Sequence, residues 1–293
     1  MAESGESETT DVILGEKGRF AIAFKKTLGS TAKTINNIKE NTNLDLIRET
    51  LSKSQKSGSK VNIYWCLGKA KSRSERYLCD EDFTTLNEFL IEIESLCKKN
   101  MEFIYLSSGG SVYGNSAGSV NENSKLNPQS YYAEMKIKSE ILLKNLSEKS
   151  GMRVSLFRLA NAYSIPTIGS SKGIVESLID CLQNHKEFEL SVSLQSKKQY
   201  ATYSNYSSNI MQYLRDFRTS STTIQVQNVF SNQVHTVKSL VDVVENHFES
   251  QLKISEFDDL SEESVILESV NKNINQNSWI SVQDFLSKCY PKS

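Results

Sequence analysis

Two segments near the middle of this chain carry most of its information: Ser107-Ser108-Gly109-Gly110-Ser111-Val112-Tyr113-Gly114, and then Tyr132-Ala133-Glu134-Met135-Lys136. The apolar run at 103–106, directly before the first segment, predicts a buried strand that ends in a turn of small residues. The second segment lies in 131–146, which has the pattern of a helix. A tyrosine and a lysine four residues apart share one face of a helix, about one turn apart.

Tyr132 and Lys136 have the chemistry of an acid/base pair. A free phenol titrates near ~10 and exchanges protons poorly at neutral pH. A neighbouring ammonium favours the phenolate and brings the pKa of the phenol closer to a working range. Tyr132 is a better candidate than Tyr131, because only Tyr132 has a lysine four residues on. Alone, the spacing is more typical of a packed tyrosine beside a solvated lysine, so its meaning depends on the preceding strand and turn.

Length and composition narrow the class of protein. The 293 residues suffice for one large α/β domain with a smaller appendage. A net charge of −1 and a pI of 6.4 indicate neither a nucleic-acid partner nor a membrane surface. The five cysteines are widely spread, without metal-ligand spacing or a disulfide framework, which predicts reduced thiols. No apolar run approaches the ~18 residues of a membrane span, and the polar start Met1–Thr10 is unlike a signal peptide, so we expect a cytoplasmic protein.

The start of the chain predicts a phosphate-binding turn. The apolar run Asp11–Leu14 ends at Gly15, and a helical pattern follows Gly18 and continues to residue 28. A strand, a glycine turn and a helix in this order aim backbone N–H groups at a diphosphate. Here Gly15 would permit the tight turn, Gly18 the close approach of backbone to ligand, and Ala21 the packing of the helix on the strand.

Further apolar runs place this unit in a longer alternation of strands and helices. Strands are predicted at 60–67, 153–159 and 224–229, and helices at 44–54, 81–98, 173–184, 236–248 and 279–290. With only three prolines in 293 residues, the chain gives no sign of a long linker. The alternation predicts an α/β fold with a doubly wound parallel sheet.

Together these segments resemble the extended short-chain dehydrogenase/reductase superfamily, and within it the NAD-dependent sugar-nucleotide epimerase/dehydratase family. The resemblance rests on the glycine turn, Val-Tyr-Gly at 112–114, Asn-Pro at 127–128, the Tyr/Lys helix, and Asn161-Ala162-Tyr163-Ser164-Ile165-Pro166, which is similar to the family's Asn-x-Tyr-Gly-Pro. It implies a Rossmann-like sheet with a small C-terminal α/β portion. Residues 1–164 would bind mainly the dinucleotide and residues 165–293 mainly the substrate, with some later segments returning to the sheet.

The resemblance also implies roles for single residues. Tyr132 would move the proton, and Lys136 would bind the nicotinamide ribose and lower the pKa of Tyr132. The cofactor, NAD or NADP with NAD slightly favoured, would contact Gly15, Gly18, Ala21, Leu67, Gly68 and Lys136. The nucleotide-sugar substrate would contact Ser108, Tyr132, Asn161 and Lys198. For Asn161 the alternative is a turn-capping side chain, and Lys198 would act only as a point charge where the family has an arginine.

The chain departs from the family pattern at two places. The family's catalytic Ser or Thr, four residues before Tyr113, is Gly109 here; Ser108 or Ser111 would substitute, or a water held by the backbone of Gly109. The family's second strand is followed by an acidic residue that binds the adenosine ribose. Only a short strand at 33–38 has room here, and the nearest acid, Glu40, is badly placed.

The predicted function is NAD(P)-dependent modification of a nucleotide-activated sugar, most favourably epimerisation through a keto intermediate, with a ketosugar reductase second. Dehydration is the least favoured, because Gly110 and Ser111 replace the Asp-Glu pair expected of a dehydratase. The rival hypothesis is a cofactor-binding pseudoenzyme, which Gly109 and the missing ribose acid suggest. The resemblance further implies a homodimer through helices 81–98 and 131–146, although the apolar stripe of the first helix is explained equally well by packing on the sheet.

Overall fold

Strands and helices alternate through the first half of the chain. In order they are β1 (Thr9–Leu14), α1 (Arg19–Leu28), β2 (Lys33–Ile35), α2 (Asn41–Ser57), β3 (Lys60–Trp65), α3 (Arg76–Ile93) with a 3₁₀ turn (Glu94–Leu96), β4 (Met101–Ser108), α4 (Gly109–Val112), β5 (Ser119–Val120), α5 (Tyr131–Ser150) and β6 (Arg153–Leu159). The computed structural model describes residues 9–116, 118–165, 173–190, 192–218, 220–255, 263–270 and 279–292. The polar residues 1–8 and Pro166, which entered the sequence-based expectations, lie outside this range.

The second half is built from shorter strands. They and their helices are β7 (Asn161–Tyr163), α6 (Ile174–Gln183), β8 (Glu187–Glu189), β9 (Lys197–Thr202), α7 (Tyr203–Phe217), β10 (Ile224–Val229), β11 (Val234–Thr236), α8 (Val237–Phe248), β12 (Lys253–Ser255), β13 (Ile266–Leu267) and α9 (Val282–Cys289). Their order agrees with the sequence-based expectation, and β6 and β10 have the predicted bounds.

Six strands form one parallel sheet in the order β10-β6-β4-β3-β1-β2. The chain starts at β1, moves outward to β2, and then returns to the other side of β1 to form β3. The strand order therefore reverses between β1 and β3, and ligands of such sheets bind at the carboxyl ends of strands beside a reversal. β3, β4 and β6 are buried along almost their whole length, as expected of strands covered on both faces.

Helices cover both faces of this sheet and create two apolar cores. One core joins the sheet to α2, α3 and α5 and includes Ile47, Leu90 and Leu143. The other joins it to α1 and α7 and includes Phe24 and Ile210. This is the predicted doubly wound arrangement, and β10 shows that a segment of the second half returns to the sheet.

A smaller body follows the sheet. β11, β9 and β7 form a three-stranded sheet, and α6, α8 and α9 pack around it with their own apolar core. β13 returns to pair with β5 next to the end of β4. The cleft between this body and the carboxyl ends of β4 and β6 is where the candidate site lies.

Several predicted bounds differ from the structure, each for a local reason. The strand expected at 33–38 ends at Ile35, and α2 begins at Asn41 rather than Leu44. The helix expected at 81–98 starts earlier, at Arg76, and tightens into a 3₁₀ turn at Glu94. α5 continues to Ser150, where Gly151 adopts φ +73° and ends the helix.

A buried ion pair joins α5 to the sheet. Arg158 on β6 donates from Nη2 to Glu140 Oε2 at 2.7 Å and from Nε to Glu140 Oε1 at 3.0 Å, and both side chains are almost fully buried. Ser107 on β4 donates to the same carboxylate at 2.6 Å, and Arg158 Nη1 donates to the Tyr113 hydroxyl at 2.9 Å. Tyr113 in turn donates to Asn228 on β10 at 2.8 Å.

Removing one charge of this pair should destabilise the fold strongly. Glu140→Gln keeps the shape but leaves Arg158 as an uncompensated buried cation, so we expect a loss of about 3–5 kcal/mol in the free energy of unfolding. Urea denaturation measures it. Glu148→Gln, at an exposed position of the same helix, is the matched control and should stay within about 0.5 kcal/mol of wild type. Equal stability of the two variants would contradict the importance of the pair.

Candidate active site

Five of the residues expected at the site share one cavity. The cavity has a volume of about 1140 Å³ and opens at the carboxyl ends of β4 and β6; its walls include Ser108, Ser111, Tyr132, Asn161 and Lys198. The other expected residues are not among its lining residues: Gly15, Gly18, Ala21, Leu67, Gly68 and Lys136. The residues expected to contact substrate are thus brought together in one cavity.

Tyr132 stands at the start of α5. Ser130 begins this helix by accepting a hydrogen bond from the Ala133 N–H at 3.2 Å, an ordinary side-chain cap. Tyr132 is the second residue of the helix, and its half-buried side chain lines the cavity wall, while Tyr131 is 48% exposed. Both tyrosines line the cavity, and Tyr131 is the more exposed of the two.

Lys136 lies one turn further along α5, beneath Tyr132. Its Nζ donates to the carbonyl of Leu106 at 2.9 Å and lies 5.5 Å from the centre of the Tyr132 ring and 4.8 Å from that of the Tyr105 ring. An ammonium over aromatic faces is held by their negative potential. The lysine is therefore fixed by β4 on one side and by two tyrosine rings on the other.

The pKa of Tyr132 lies above its ordinary value. Burial is the main cause; Lys136 lowers the pKa, as the spacing predicted, and a hydrogen bond with Ser108 lowers it further. Tyr105 and Asp82 act in the opposite direction and raise it. The expectation that Lys136 makes the phenol more acidic is correct in sign, but burial outweighs it, so Tyr132 holds its proton at neutral pH.

The missing hydroxyl at position 109 has a steric explanation. Gly109 is buried at the start of α4, and a Cβ atom there would lie 2.5 Å from Cδ1 of Leu267 and 3.2 Å from the carbonyl oxygen of Arg158. Leu267, from β13, fills the space that a side chain at 109 would need. The hydroxyl of Ser108 instead donates to the hydroxyl of Ser111 at 3.1 Å and lies close enough to the Tyr132 phenol to lower its pKa.

The two residues expected to contact substrate phosphates already have protein partners. Asn161, on β7, donates from its side-chain amide to the carbonyl of Gln199 at 3.1 Å. Lys198, on β9, lies 3.4 Å from the carboxylate of Glu263, which also lines the cavity. The charge of Lys198 is therefore balanced inside the protein, and an anionic ligand would have to compete with Glu263 for it.

The glycine turn between β1 and α1 has the expected geometry. Gly15 adopts φ +102°, and a Cβ atom there would lie 2.8 Å from the carbonyl oxygen of Cys66, so no other residue fits without strain. The N–H of Gly18 donates to the carbonyl of Gly15 at 2.8 Å. α1 begins without a side-chain cap, which leaves the positive end of its dipole available to an anion.

The end of β2 lacks the acidic residue that would bind the adenosine ribose. β2 is followed by Asn36-Asn37-Ile38-Lys39, and Glu40 precedes the first residue of α2. The carboxylate of Glu40 accepts hydrogen bonds from the side-chain amides of Asn37 at 3.0 Å and Asn43 at 3.2 Å. Glu40 thus secures the start of α2, in agreement with the expectation that it is badly placed for a ribose.

Asp82 belongs to the site although the sequence patterns did not point to it. Its carboxylate accepts hydrogen bonds from the backbone N–H of Lys69 at 2.9 Å and of Ala70 at 2.8 Å, and so fixes the loop after β3. A Cβ atom on Gly68, which has φ +137°, would lie 3.1 Å from this carboxylate. Asp82 is one of several charged residues on the polar face of α3, so no local signal distinguishes it.

The sheet order and the helices on both faces of the sheet define a Rossmann-like fold. Residues 88–226 match the model of the NAD-dependent epimerase/dehydratase family. This match covers a little under half of the chain and agrees with the family resemblance of its sequence. No helix in the described part of the chain is long and apolar enough to cross a membrane.

The comparison with curated proteins finds a reductase. The chain is 27% identical to the dTDP-4-dehydro-6-deoxyglucose reductase of Escherichia coli over 154 residues. These aligned residues make up 52% of this chain and 46% of the reductase. The chain thus spans about half the length of the curated relative it matches.

Solved structures with the same fold are sugar-nucleotide epimerases. The UDP-N-acetylglucosamine 4-epimerase of Methanobrevibacter ruminantium M1, in complex with UDP-N-acetylmuramic acid, superposes with a TM-score of 0.74 at 17% identity and covers 96% of each chain. A variant of the UDP-glucuronic acid 4-epimerase of Bacillus cereus, in complex with UDP-4-deoxy-4-fluoro-glucuronic acid and NAD, gives 0.73 at 13% identity over 97% of this chain and all of that one. These likenesses confirm the predicted fold.

Introducing the missing hydroxyl should destabilise the protein. In Gly109→Ser the new side chain would overlap Leu267, so we expect a loss of about 1–3 kcal/mol, measured by urea denaturation. Gly110→Ser is the matched control, since a Cβ atom on Gly110 meets nothing within 4 Å. If Gly109→Ser were as stable as Gly110→Ser, Leu267 would not be the reason for the glycine.

Proposed function

We propose that this protein is an NAD(P)-dependent enzyme that modifies a nucleotide-activated sugar, with Tyr132 as the group that moves a proton. The observation that carries the proposal is that the Tyr132 phenol and the Ser108 hydroxyl meet at one wall of the cavity, with the Lys136 ammonium directly behind the Tyr132 ring. In this scheme residues 1–164 serve mainly the cofactor and residues 165–293 mainly the substrate. The related solved structures, which are complexes with UDP-sugars and in one case also with NAD, support the same substrate class.

The residues present fit a nicotinamide dinucleotide at two of three points. The turn at Gly15 and Gly18, with Ala21 behind it, suits a diphosphate at the start of α1. Lys136, with Leu67 and Gly68 on the loop that Asp82 fixes, suits the nicotinamide ribose. The third point, the adenosine ribose, lacks its acidic partner at the end of β2. The cofactor would supply hydride transfer, and NAD remains slightly favoured over NADP.

Within this site each side chain has a separate task. The Ser108 hydroxyl would bind the oxygen of the reacting carbinol or ketone beside the phenol, and Tyr132 would give or take the proton on that oxygen. Lys136, held by the carbonyl of Leu106, would stabilise the phenolate whenever it forms. Asn161 and Lys198 would hold the substrate's phosphates once Lys198 leaves Glu263.

Two reactions are compatible with this arrangement. Epimerisation through a keto intermediate is the first candidate, since it needs one group that both takes and returns a proton. Reduction of a ketosugar is the second, and two observations favour it: burial keeps the Tyr132 phenol protonated and ready to donate, and the curated relative is a reductase. Cofactor balance separates them, because a reductase consumes one NAD(P)H per product and an epimerase consumes none.

The test is product analysis by mass spectrometry and chromatography with UDP-, dTDP- and GDP-sugars, with and without cofactor. Once a substrate is found, Tyr132→Phe should lower kcat by at least about 10²-fold while substrate affinity changes little. Ser108→Ala should lower kcat by about 10²-fold, and Ser111→Ala, measured beside it, shows which of the two hydroxyls replaces the one missing at position 109. Wild-type turnover by Tyr132→Phe would exclude Tyr132 as the acid/base.

The rival proposal is a cofactor-binding pseudoenzyme, and measurements of thermal unfolding on the wild-type protein distinguish it from an active enzyme. A bound dinucleotide raises the unfolding temperature by mass action. A stabilised protein that converts no sugar in the panel would favour the pseudoenzyme, whereas no stabilisation by NAD(H) or NADP(H) would oppose both proposals.

We also propose a homodimer through the helices expected at 81–98 and 131–146. Each presents an exposed stripe: Tyr77, Glu81, Glu88 and Ile91 on α3, and Tyr131, Glu134, Lys138 and Ile141 on α5. Arg76 lies 5.6 Å from the centre of the Tyr131 ring, so the two stripes adjoin. Ile91 and Ile141 are 61% and 51% exposed, which is unusual for isoleucine and consistent with a covered surface.

Light scattering after size exclusion tests the dimer. Wild type should run at about twice 33.0 kDa, and Ile91→Arg should shift it towards the monomer by placing a charge in the apolar contact. Ile22→Arg is the matched control, since Ile22 is 59% exposed on α1. A monomeric wild type, or equal behaviour of both variants, would rule out this interface.

A further inference from the structure

A second ion pair spans the cleft beside the glycine turn. Arg19 is the first residue of α1, directly after Gly18, and its Nη1 lies 2.7 Å from Oε1 of Glu176 and 3.3 Å from the hydroxyl of Tyr203. Glu176 lies in the first turn of α6, and Tyr203 begins α7. The pair therefore ties the phosphate-binding turn to the smaller body of the protein.

The carboxylate of Glu176 is fully buried, and its two oxygens differ in their hydrogen bonds. Its side chain is 0% exposed. Oε1 accepts hydrogen bonds from Arg19 and from the backbone N–H of Ser164 at 3.0 Å, whereas Oε2 is buried and has no hydrogen-bond partner in the described structure. A buried carboxylate oxygen without a donor is costly. Burial accordingly raises the pKa of Glu176, although its own backbone N–H, Arg19 and Ser164 oppose the shift.

Few charged groups surround this carboxylate. From α1 it faces Arg19, from α7 Tyr203, and from β7 Tyr163 and the following Ser164. Burial raises the pKa of both tyrosines, so they are neutral at physiological pH. Among these groups Arg19 alone balances the charge of Glu176, so the protonation of Glu176 depends on where the Arg19 guanidinium lies.

Arg19 is also placed to bind an anion. It stands at the positive end of the α1 dipole, beside the two glycines that let a ligand approach the backbone. A guanidinium binds phosphate oxygens through two parallel hydrogen bonds. A diphosphate in this turn would therefore compete with Glu176 for Arg19.

We propose that Arg19 changes partners, from Glu176 in the free protein to the diphosphate of a bound dinucleotide, and that Glu176 takes up one proton from solvent as it does so. The proposal rests on the proposed function, because it assumes that a dinucleotide occupies the glycine turn. Two observations support the proposal: Oε2 of Glu176 has no hydrogen-bond partner among the described residues, and the side chain is fully buried. Once Arg19 leaves, a charged Glu176 would therefore be buried without a compensating charge and beside a new anion.

The sign of the resulting pH dependence follows from linkage. Loss of Arg19 raises the pKa of Glu176 above its value in the free protein. Between these two pKa values the complex binds one more proton than the free protein, so affinity for the dinucleotide falls as pH rises through this window. The dissociation constant should weaken by up to about tenfold per pH unit there.

Isothermal titration calorimetry with NADH and with NADPH tests the proposal. Titrations from about pH 6 to about pH 9, the range in which a buried glutamate can titrate, are run in two buffers of different ionisation enthalpy, which reports the protons taken up per ligand. Wild type should take up close to one proton within the window. Glu176→Gln should take up none and bind with a pH-independent dissociation constant, while Glu187→Gln, an exposed glutamate of β8, keeps the wild-type behaviour.

A second variant examines the other partner. Arg19→Met removes the guanidinium and keeps the length of the side chain; it should weaken NADH binding at low pH by roughly 10-fold or more and also remove the proton uptake. Circular dichroism establishes that both variants are folded. Binding by wild type without proton uptake, or unchanged affinity in Arg19→Met, would overturn the exchange of partners while leaving the proposed function intact. No binding of either dinucleotide to wild type would instead refute the proposed function, and the exchange with it.

Discussion

The arrangement of the site depends on the buried ion pair between Glu140 and Arg158. Glu140 is one helical turn beyond Lys136 on α5, and Arg158 is the second-last residue of β6. Two charges in the interior stabilise a fold only if their remaining hydrogen-bonding groups are satisfied. Here Ser107 completes the carboxylate and Tyr113 the guanidinium, so the pair connects α5 with β4, β6 and the turn after β4.

This connection has a direct consequence for Tyr132 and Lys136. A helix that lies on a sheet through apolar contacts alone can rotate or slide by small amounts, whereas two charge-assisted hydrogen bonds from Arg158 fix its angle. With α5 fixed, Lys136 can reach the carbonyl of Leu106 and remain between two tyrosine rings. The tyrosine and lysine of the family pattern are therefore the first two members of a row of polar side chains on α5, and Glu140 is the third.

The sequence was sufficient for the fold and for five of the residues that line the cavity, because both depend on local patterns. The apolar runs of β4 and β6 and the spacing of Tyr132 and Lys136 are visible within about twenty residues. The pair Arg19–Glu176 is not visible in this way, because its members lie 157 residues apart. Glu140 and Arg158 are only 18 residues apart, but each of them alone resembles a solvated charge. The sequence did contain one signal for Glu176. This acidic residue lies between Val175 and Leu178 on the apolar stripe of α6, where a charge needs a partner.

Gly109 shows why a motif read in isolation can mislead. The absent hydroxyl suggested an incomplete site. The structure shows instead that the side chain of Leu267, on β13, occupies the space that a side chain at position 109 would need. This segment is held firmly, since Gln199 binds both the N–H and the carbonyl of Leu267 and the carboxylate of Glu122 accepts hydrogen bonds from Ser269 and Val270. The signal for it lies more than 150 residues from the motif, so no inspection of the Ser/Gly turn could have found it.

The absence of an acid at the end of β2 and the presence of Arg19 at the start of α1 belong to one problem, the anchoring of a dinucleotide. An acid at β2 binds the adenosine ribose of NAD and repels the extra phosphate of NADP. Without it, the usual sequence rule that separates the two cofactors does not apply to this chain, and the adenosine end loses its strongest polar contact. Arg19 adds a cation one residue beyond Gly18, next to the place where either cofactor carries its diphosphate. Under the proposed function the weight of recognition thus moves from the adenosine ribose to the centre of the dinucleotide and to Lys136 at its nicotinamide end.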